Sequence, residues 1–162
     1  MRRERPGPGQ ESVWDYPRPP SLEPTSRRIR IVVGGENIVD TTSAWRVLET
    51  SHPPGYYIPP GDISPGVLVR ADGGSGCEWK GRAEYFSVRV GERQLTNVAW
   101  AYPNPTPRFA EIAGYVAFYA GPMDRCLVDD EVVTPQPGGF YGGWITVDIV
   151  GPFKGGPGTT GW

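Results

Sequence analysis

Residues 85–102 read YFSVRVGERQLTNVAWAY, and this stretch decides the class of fold. Tyr85 to Val90 alternates with a period of two: Phe86, Val88 and Val90 share one face, and Tyr85, Ser87 and Arg89 the other. Gly91-Glu92-Arg93 then turns the chain into a partner strand from Leu95 to Tyr102. An antiparallel hairpin is the predicted centre of the sequence.

Similar signals lie on both sides. Ile29 to Val33 and Asn37 to Asp40 flank Gly34-Gly35, a strong hairpin turn. Gly114 to Tyr119, GYVAFY, is the densest run of β-formers. Leu127-Val128 and Val132-Val133 are joined across Asp129-Asp130-Glu131, and a last strand is expected within Phe140 to Val150, including WITVDIV from Trp144. One short helix is expected as well. Thr41-Thr42-Ser43 supplies N-caps, Ala44, Val47 and Leu48 form a stripe at i, i+3 and i+4, and Pro53-Pro54 ends it. Such a helix places Trp45 and Glu49 on neighbouring faces and releases His52 at its end. Hairpins with one short helix predict a mostly β, antiparallel domain.

The 162 residues suit one domain. Residues 1–12, with Arg2, Arg3 and Arg5, read as a flexible basic arm. Order is expected from Val13-Trp14-Asp15-Tyr16-Pro17, followed by a Pro-rich extended piece to Pro24. The β domain spans 13–150, and the Gly/Pro-rich segment 151–162 packs on it or trails it. Gly and Pro number 23 and 19, yet six Trp, eight Tyr and five Phe supply enough apolar surface for a folded chain.

Charge is nearly balanced, with 16 Lys and Arg against 18 Asp and Glu, so the footprint of a nucleic-acid binder is missing. No run approaches the length of a membrane span and no signal-peptide core follows the arginines, so a soluble, cytoplasmic protein is expected. Cys77 and Cys126 are the only cysteines and His52 the only histidine. Two isolated thiols and one imidazole do not make a zinc site, and no metal or other cofactor is expected.

Three motifs hold groups able to do chemistry. LETSHPPGYYIPP, from Leu48 to Pro60, combines Glu49, Ser51, His52 and two tyrosines with four prolines and reads as the lip of a site. If extended, Tyr56 and Tyr57 point to opposite sides, one inward and one towards a cleft. GCEWKG, Gly76 to Gly81, offers Cys77 and Trp79 on one face and Glu78 and Lys80 on the other. A lysine beside aromatics can act as base or Schiff-base nucleophile, while a plain strand with a surface Glu/Lys face is the simpler reading. A thiol nucleophile at Cys77 needs His52 as its base. PQPGGFYGGWIT, Pro135 to Thr146, lacks the spacing of a phosphate loop, and its paired glycines read as a tight corner or close backbone approach.

Together VWDYPRPP, RVLETSHPPGYYIPP, CEWKG, GYVAFY, PQPGGFYGGWIT and GPFKGGPGTTGW resemble the domain-of-unknown-function 427 family of bacterial and fungal proteins, over Glu11 to Trp162. The family sometimes carries a nucleotidyltransferase-like label, but the paired metal-binding carboxylates of that chemistry are not evident in this sequence. The resemblance implies a β-tent-like fold: antiparallel sheets meeting at an angle, long Pro/Gly-rich loops and an aromatic cleft. Relatives of that fold bind zinc through paired CxxC, which this chain lacks, so a zinc-free protein is expected. Asp130 stands where the family often has Gly, which implies only turn strain.

The expected function is small-molecule binding in an aromatic, partly polar pocket walled by Arg46, Glu49, His52, Tyr56, Cys77, Trp79, Lys80, Tyr85 and Trp100. The alternatives are a metal-independent enzyme using Lys80, Glu49 or His52, and a protein-interaction module using the Pro-rich arm. The expected partner is an unidentified small molecule, with no nucleic acid or membrane, and the chain is a monomer or homodimer.

Overall fold

The computed structural model describes residues 1–77 and 79–162, with Ser75 and Cys77 described by their backbone alone. Its strands, in chain order, are β1 (Glu11–Ser12), β2 (Ser21–Pro24), β3 (Ile29–Val33), β4 (Glu36–Thr41), β5 (Trp45–Leu48), β6 (Gly55–Tyr57), β7 (Leu68–Cys77) and β8 (Gly81–Val90). They continue with β9 (Arg93–Ala101), β10 (Val116–Phe118), β11 (Arg125–Val128), β12 (Glu131–Val132), β13 (Thr134–Pro135), β14 (Trp144–Ile145) and β15 (Ile149–Val150). The protein is mostly β, and its larger sheets are antiparallel.

The central hairpin is β8–β9, closed by Gly91-Glu92 between the paired Val90 and Arg93, with Gly91 at φ 59°. It forms the middle of a four-stranded sheet in the order β10-β9-β8-β7. A second four-stranded sheet, β12-β11-β3-β4, contains the other two predicted hairpins. Gly34 and Gly35 both adopt left-handed φ, which lets a two-residue turn follow the twist of β3 and β4. In the β11–β12 turn the left-handed residue is Asp129, at φ 53°, not Asp130. Its carboxylate accepts from Arg27 Nε and the Arg28 backbone N–H, which hold that conformation.

The main core lies among these sheets. Ile29, Ile31 and Val33 from β3, Val39 from β4, Val88 from β8 and Val128 from β11 are completely buried. Each such side chain contributes roughly 1.5–3 kcal/mol relative to exposure. Phe86, Val88 and Val90 all pack on this core, as their alternation predicts. A third sheet, β2-β5-β6, joins the first through the Ile58–Val116 bridge.

Two elements differ from expectation. The segment expected as a helix is strand β5, paired with β2 on one side and β6 on the other. Thr41 Oγ1 does accept from the Ser43 N–H, but the bond closes a local turn instead of capping a helix. Pairing on both edges outweighs the weak local helix signal of Ala44, Val47 and Leu48. The longest helical segment is instead a 3-10 stretch, Pro107–Ile112, which buries Phe109 and Ile112.

The long final strand is also interrupted. Thr146 Oγ1 donates to the Asp148 carboxylate, Ile149 N donates to Thr146 O, and Val147 is left exposed, which leaves two short strands, β14 paired with β13 and β15 with β1. β15 pairs in parallel with β1, at the end of the N-terminal arm. The C-terminal segment folds back: Trp14 and Trp162 meet edge to face, and Lys154 N donates to Ser51 O. Among the described residues, no helix is long and apolar enough to cross a membrane.

Candidate functional site

A second apolar cluster, including Val47, Tyr57, Ala83, Tyr102 and Phe109, lies under a cleft of about 480 Å³. Strand alternation aims Ala83 and Tyr85 of β8 away from the main core and into this cleft. Trp100 enters from β9, and Val47 and Tyr57 from β5 and β6. Three chain segments close the rim: Glu49–Pro53, Gln136–Gly143 and Lys154.

Six of the nine expected wall residues meet here: Glu49, His52, Trp79, Lys80, Tyr85 and Trp100. Arg46 and Tyr56 do not, and the reason is the strand geometry. In β5, Val47 faces the cleft and Arg46 the opposite side, where Nη1 and Nη2 bind both Glu11 carboxylate oxygens at 2.9 and 3.1 Å. Nη2 also binds Glu23 Oε1 at 2.6 Å. Arg46 thus fastens the N-terminal arm; its hydrogen bonds hold the Glu11 carboxyl below the usual range. Tyr56 turns into the main core and stacks on Trp144 at 5.2 Å, leaving Tyr57 as the tyrosine of the cleft. The Cys77 side chain, and so its suggested pairing with His52, lies outside the described residues. Cys126 is a free, buried thiol whose pKa burial pushes well up, so it is not poised as a nucleophile.

The wall is an aromatic network. Trp100 Nε1 donates to Tyr57 Oη at 3.2 Å, and its ring lies 4.7 Å from that of Tyr119. Gly142 passes under Trp100 so closely that a Cβ there would come within 2.9 Å of Cζ3 and nearer still to Cη2. Gly143 is equally confined, since its Cβ would approach Pro53 O at 2.5 Å. The glycine pairs therefore serve close approach, as their spacing suggests.

His52 is fixed by Gln136, whose own orientation is set by its other partners. Gly143 N–H donates to Gln136 Oε1 at 3.0 Å, and Gln136 Nε2 donates to Lys154 O at 2.8 Å. The amide nitrogen is thereby the group facing His52, and it donates to Nδ1 at 3.0 Å. The neutral ring must carry its proton on Nε2, which lies 3.7 Å from Glu49 Oε2. Burial, then the positive charges of Lys154, Arg18 and Lys80, lower its pKa to about 4. At neutral pH His52 presents an N–H donor, and its lone pair is engaged by Gln136, so this arrangement does not offer a general base.

Ser51, fully buried at left-handed φ 72°, places His52. Its N–H donates to Val13 O, its carbonyl accepts from Lys154 N, and Oγ donates to Trp162 O. Two lysines complete the site. Lys80 Nζ lies 5.7 Å from the ring centre of Tyr102 and 6.0 Å from that of Phe109, and Lys154 Nζ lies 5.6 Å from that of Tyr141. Neither ammonium has an ion-pair partner among the described residues. The described residues also contain no group of three His, Cys, Asp or Glu able to hold a metal ion.

The profile of the family described as Domain of unknown function (DUF427) matches residues 21–129, more than half of the chain. The chain belongs to the DUF427 family. Among curated proteins, none matches it. The family match spans β2 to β11 and contains Glu49, His52, Trp79, Lys80 and Trp100, while Gln136, Tyr141 and Lys154 lie beyond it.

Gln136, Tyr119, Tyr141 and Lys154 were not singled out from sequence. One signal did exist for Lys154: it is the only charged side chain in residues 151–162.

Proposed function

We propose that this DUF427 protein binds a small molecule with a flat, conjugated ring in the cleft between Trp100 and Lys80. The single observation that carries the reading is the cleft itself, where aromatic faces surround a few convergent polar groups. Such a combination of apolar walls and sparse, oriented polar atoms is the usual make-up of a ligand site. The wall is preorganised: Trp100 is held by Tyr57, and His52 by Gln136. Little ordering would accompany binding, which favours affinity.

The test is a thermal-shift and tryptophan-emission screen with nucleosides, nucleotides, aromatic acids and quaternary amines. At least one class should give a saturable response that Trp100→Leu removes. No saturable response in any class would refute the reading.

A further inference from the structure

The polar groups of the cleft are unequal in kind. Lys80 and Lys154 contribute two ammonium groups, and His52 contributes an Nε2–H. Among the described residues none of the three donates a hydrogen bond, and His52 Nε2 lies 3.7 Å from Glu49 Oε2. Glu49 is the only carboxylate among the described lining residues, and Arg18 approaches it to 4.0 Å. Among the described lining residues two ammonium groups therefore face one carboxylate, a positive local balance in a protein whose formal net charge is −2. The pKa of His52 is lowered first by burial and only then by the charges of Lys154, Arg18 and Lys80, which place all three cations within reach of the ring.

We infer that the ligand is a planar organic carboxylate, its ring on the Trp100 wall and its carboxylate received by Lys80, Lys154 and the His52 Nε2–H. The inference rests on the ring-binding reading above and adds the charge and the acceptor group. A monoanion matches two ammonium groups opposed by one glutamate. A phosphate dianion fits less well, because Glu49 would repel it and no guanidinium fork is present among the described lining residues. A quaternary cation would meet two ammonium groups of its own sign.

Titration calorimetry of the full chain at pH 7 and low salt, using 2-naphthoate, 2-naphthamide, 2-naphthyltrimethylammonium and 2-naphthyl phosphate, separates the possibilities. Naphthoate should bind roughly tenfold or more tightly than the isosteric amide, as expected for hydrogen bonds to a charged group. Lys154→Met and Lys80→Met should each remove most of that advantage and leave amide binding unchanged. Lys80→Arg, which keeps the charge if Met at this buried position unfolds the protein, should retain it. Equal binding of naphthoate and amide, or tightest binding of the ammonium or phosphate compound, would overturn the carboxylate inference while leaving the ring-binding reading intact. Failure of all four to bind would overturn both.

Discussion

Replacing Gly142 by Ala tests the cleft wall without touching a polar group. Gly142 is not among the left-handed glycines, so alanine fits its backbone and the perturbation is purely steric. The new Cβ would lie 2.9 and 3.1 Å from Cζ3 and Cζ2 of Trp100, and closer to Cη2, where ordinary contact begins near 3.4 Å. The indole must therefore move by an ångström or more. It cannot do so freely, because Nε1 is bonded to Tyr57 and the ring lies against Tyr119. Overpacking of this kind costs about 1–3 kcal/mol. For a chain of this size that corresponds to a melting temperature lower by roughly 3–10 °C.

Calorimetry and near-ultraviolet dichroism provide the assay, with Gly61→Ala as the control. Gly61 has nothing within 4 Å of its added Cβ and no positive φ, so its substitution should stay within about 0.5 kcal/mol. Trp100→Phe removes the part of the ring that collides, and the double variant should recover at least about 1 kcal/mol of the Gly142→Ala loss. If Gly142→Ala were as stable as the parent and left the aromatic dichroism unchanged, the close passage under Trp100 would be wrong.

Other substitutions separate the roles of neighbouring residues. Gly138→Ala sets a Cβ 2.8 Å from the Gly155 carbonyl carbon at φ 90°, whereas Gly139→Ala at φ 72° meets open space. Urea unfolding should show about 1–2 kcal/mol for Gly139→Ala from backbone strain, and at least about 3 kcal/mol for Gly138→Ala; equal losses would contradict the Gly138–Gly155 packing. Because the folded-state pKa of His52 is about 4, below the 6.5 of a free imidazole, the unfolded chain takes up the proton first as pH falls. Stability held by the neutral ring is complete above about pH 6.5 and declines towards pH 4. Between pH 7 and 5 the decline is about 2 kcal/mol, and His52→Gln should lack it in urea titrations at those two pH values. Arg46→Met should lower stability by about 1–2 kcal/mol, at the low end because Glu11 and Glu23 are half exposed and rehydrate, and should leave naphthoate affinity unchanged. A tenfold loss of affinity would return Arg46 to the site.

The Ser51–His52–Gln136 group shows how this protein assembles one site from distant parts of its chain. Ser51 and Gln136 are both buried, and the bonds between them run through Lys154 from the C-terminal segment. The close approaches of Gly138 to Gly155 and of Gly143 to the Pro53 carbonyl join the same segments through the backbone. The rim is therefore three segments of the chain bonded to one another, each depending on partners from the other two.

That dependence explains what could be read from the sequence. Hairpins at Gly34-Gly35, Gly91-Glu92 and Asp129-Asp130 are local devices: turn chemistry and period-two alternation lie within about a dozen residues, and all three formed. Helical spacing puts Trp45 and Glu49 on neighbouring faces, but no helix forms: Trp45 opens β5, and Glu49 follows its last residue at the cleft rim. Arg46 and Tyr56 are misplaced for a simpler reason. Each sits one residue from a true wall residue, Val47 and Tyr57, and in a strand one residue is the difference between two faces. Choosing the face requires knowing which sheet edge meets which, and for β5 that is settled by β2 and β6, not by residues 44–48. Gln136 is the extreme case: an amide in a Pro/Gly loop carries no periodicity, and only its partners at 52, 143 and 154 turn it into the residue that sets the proton on His52.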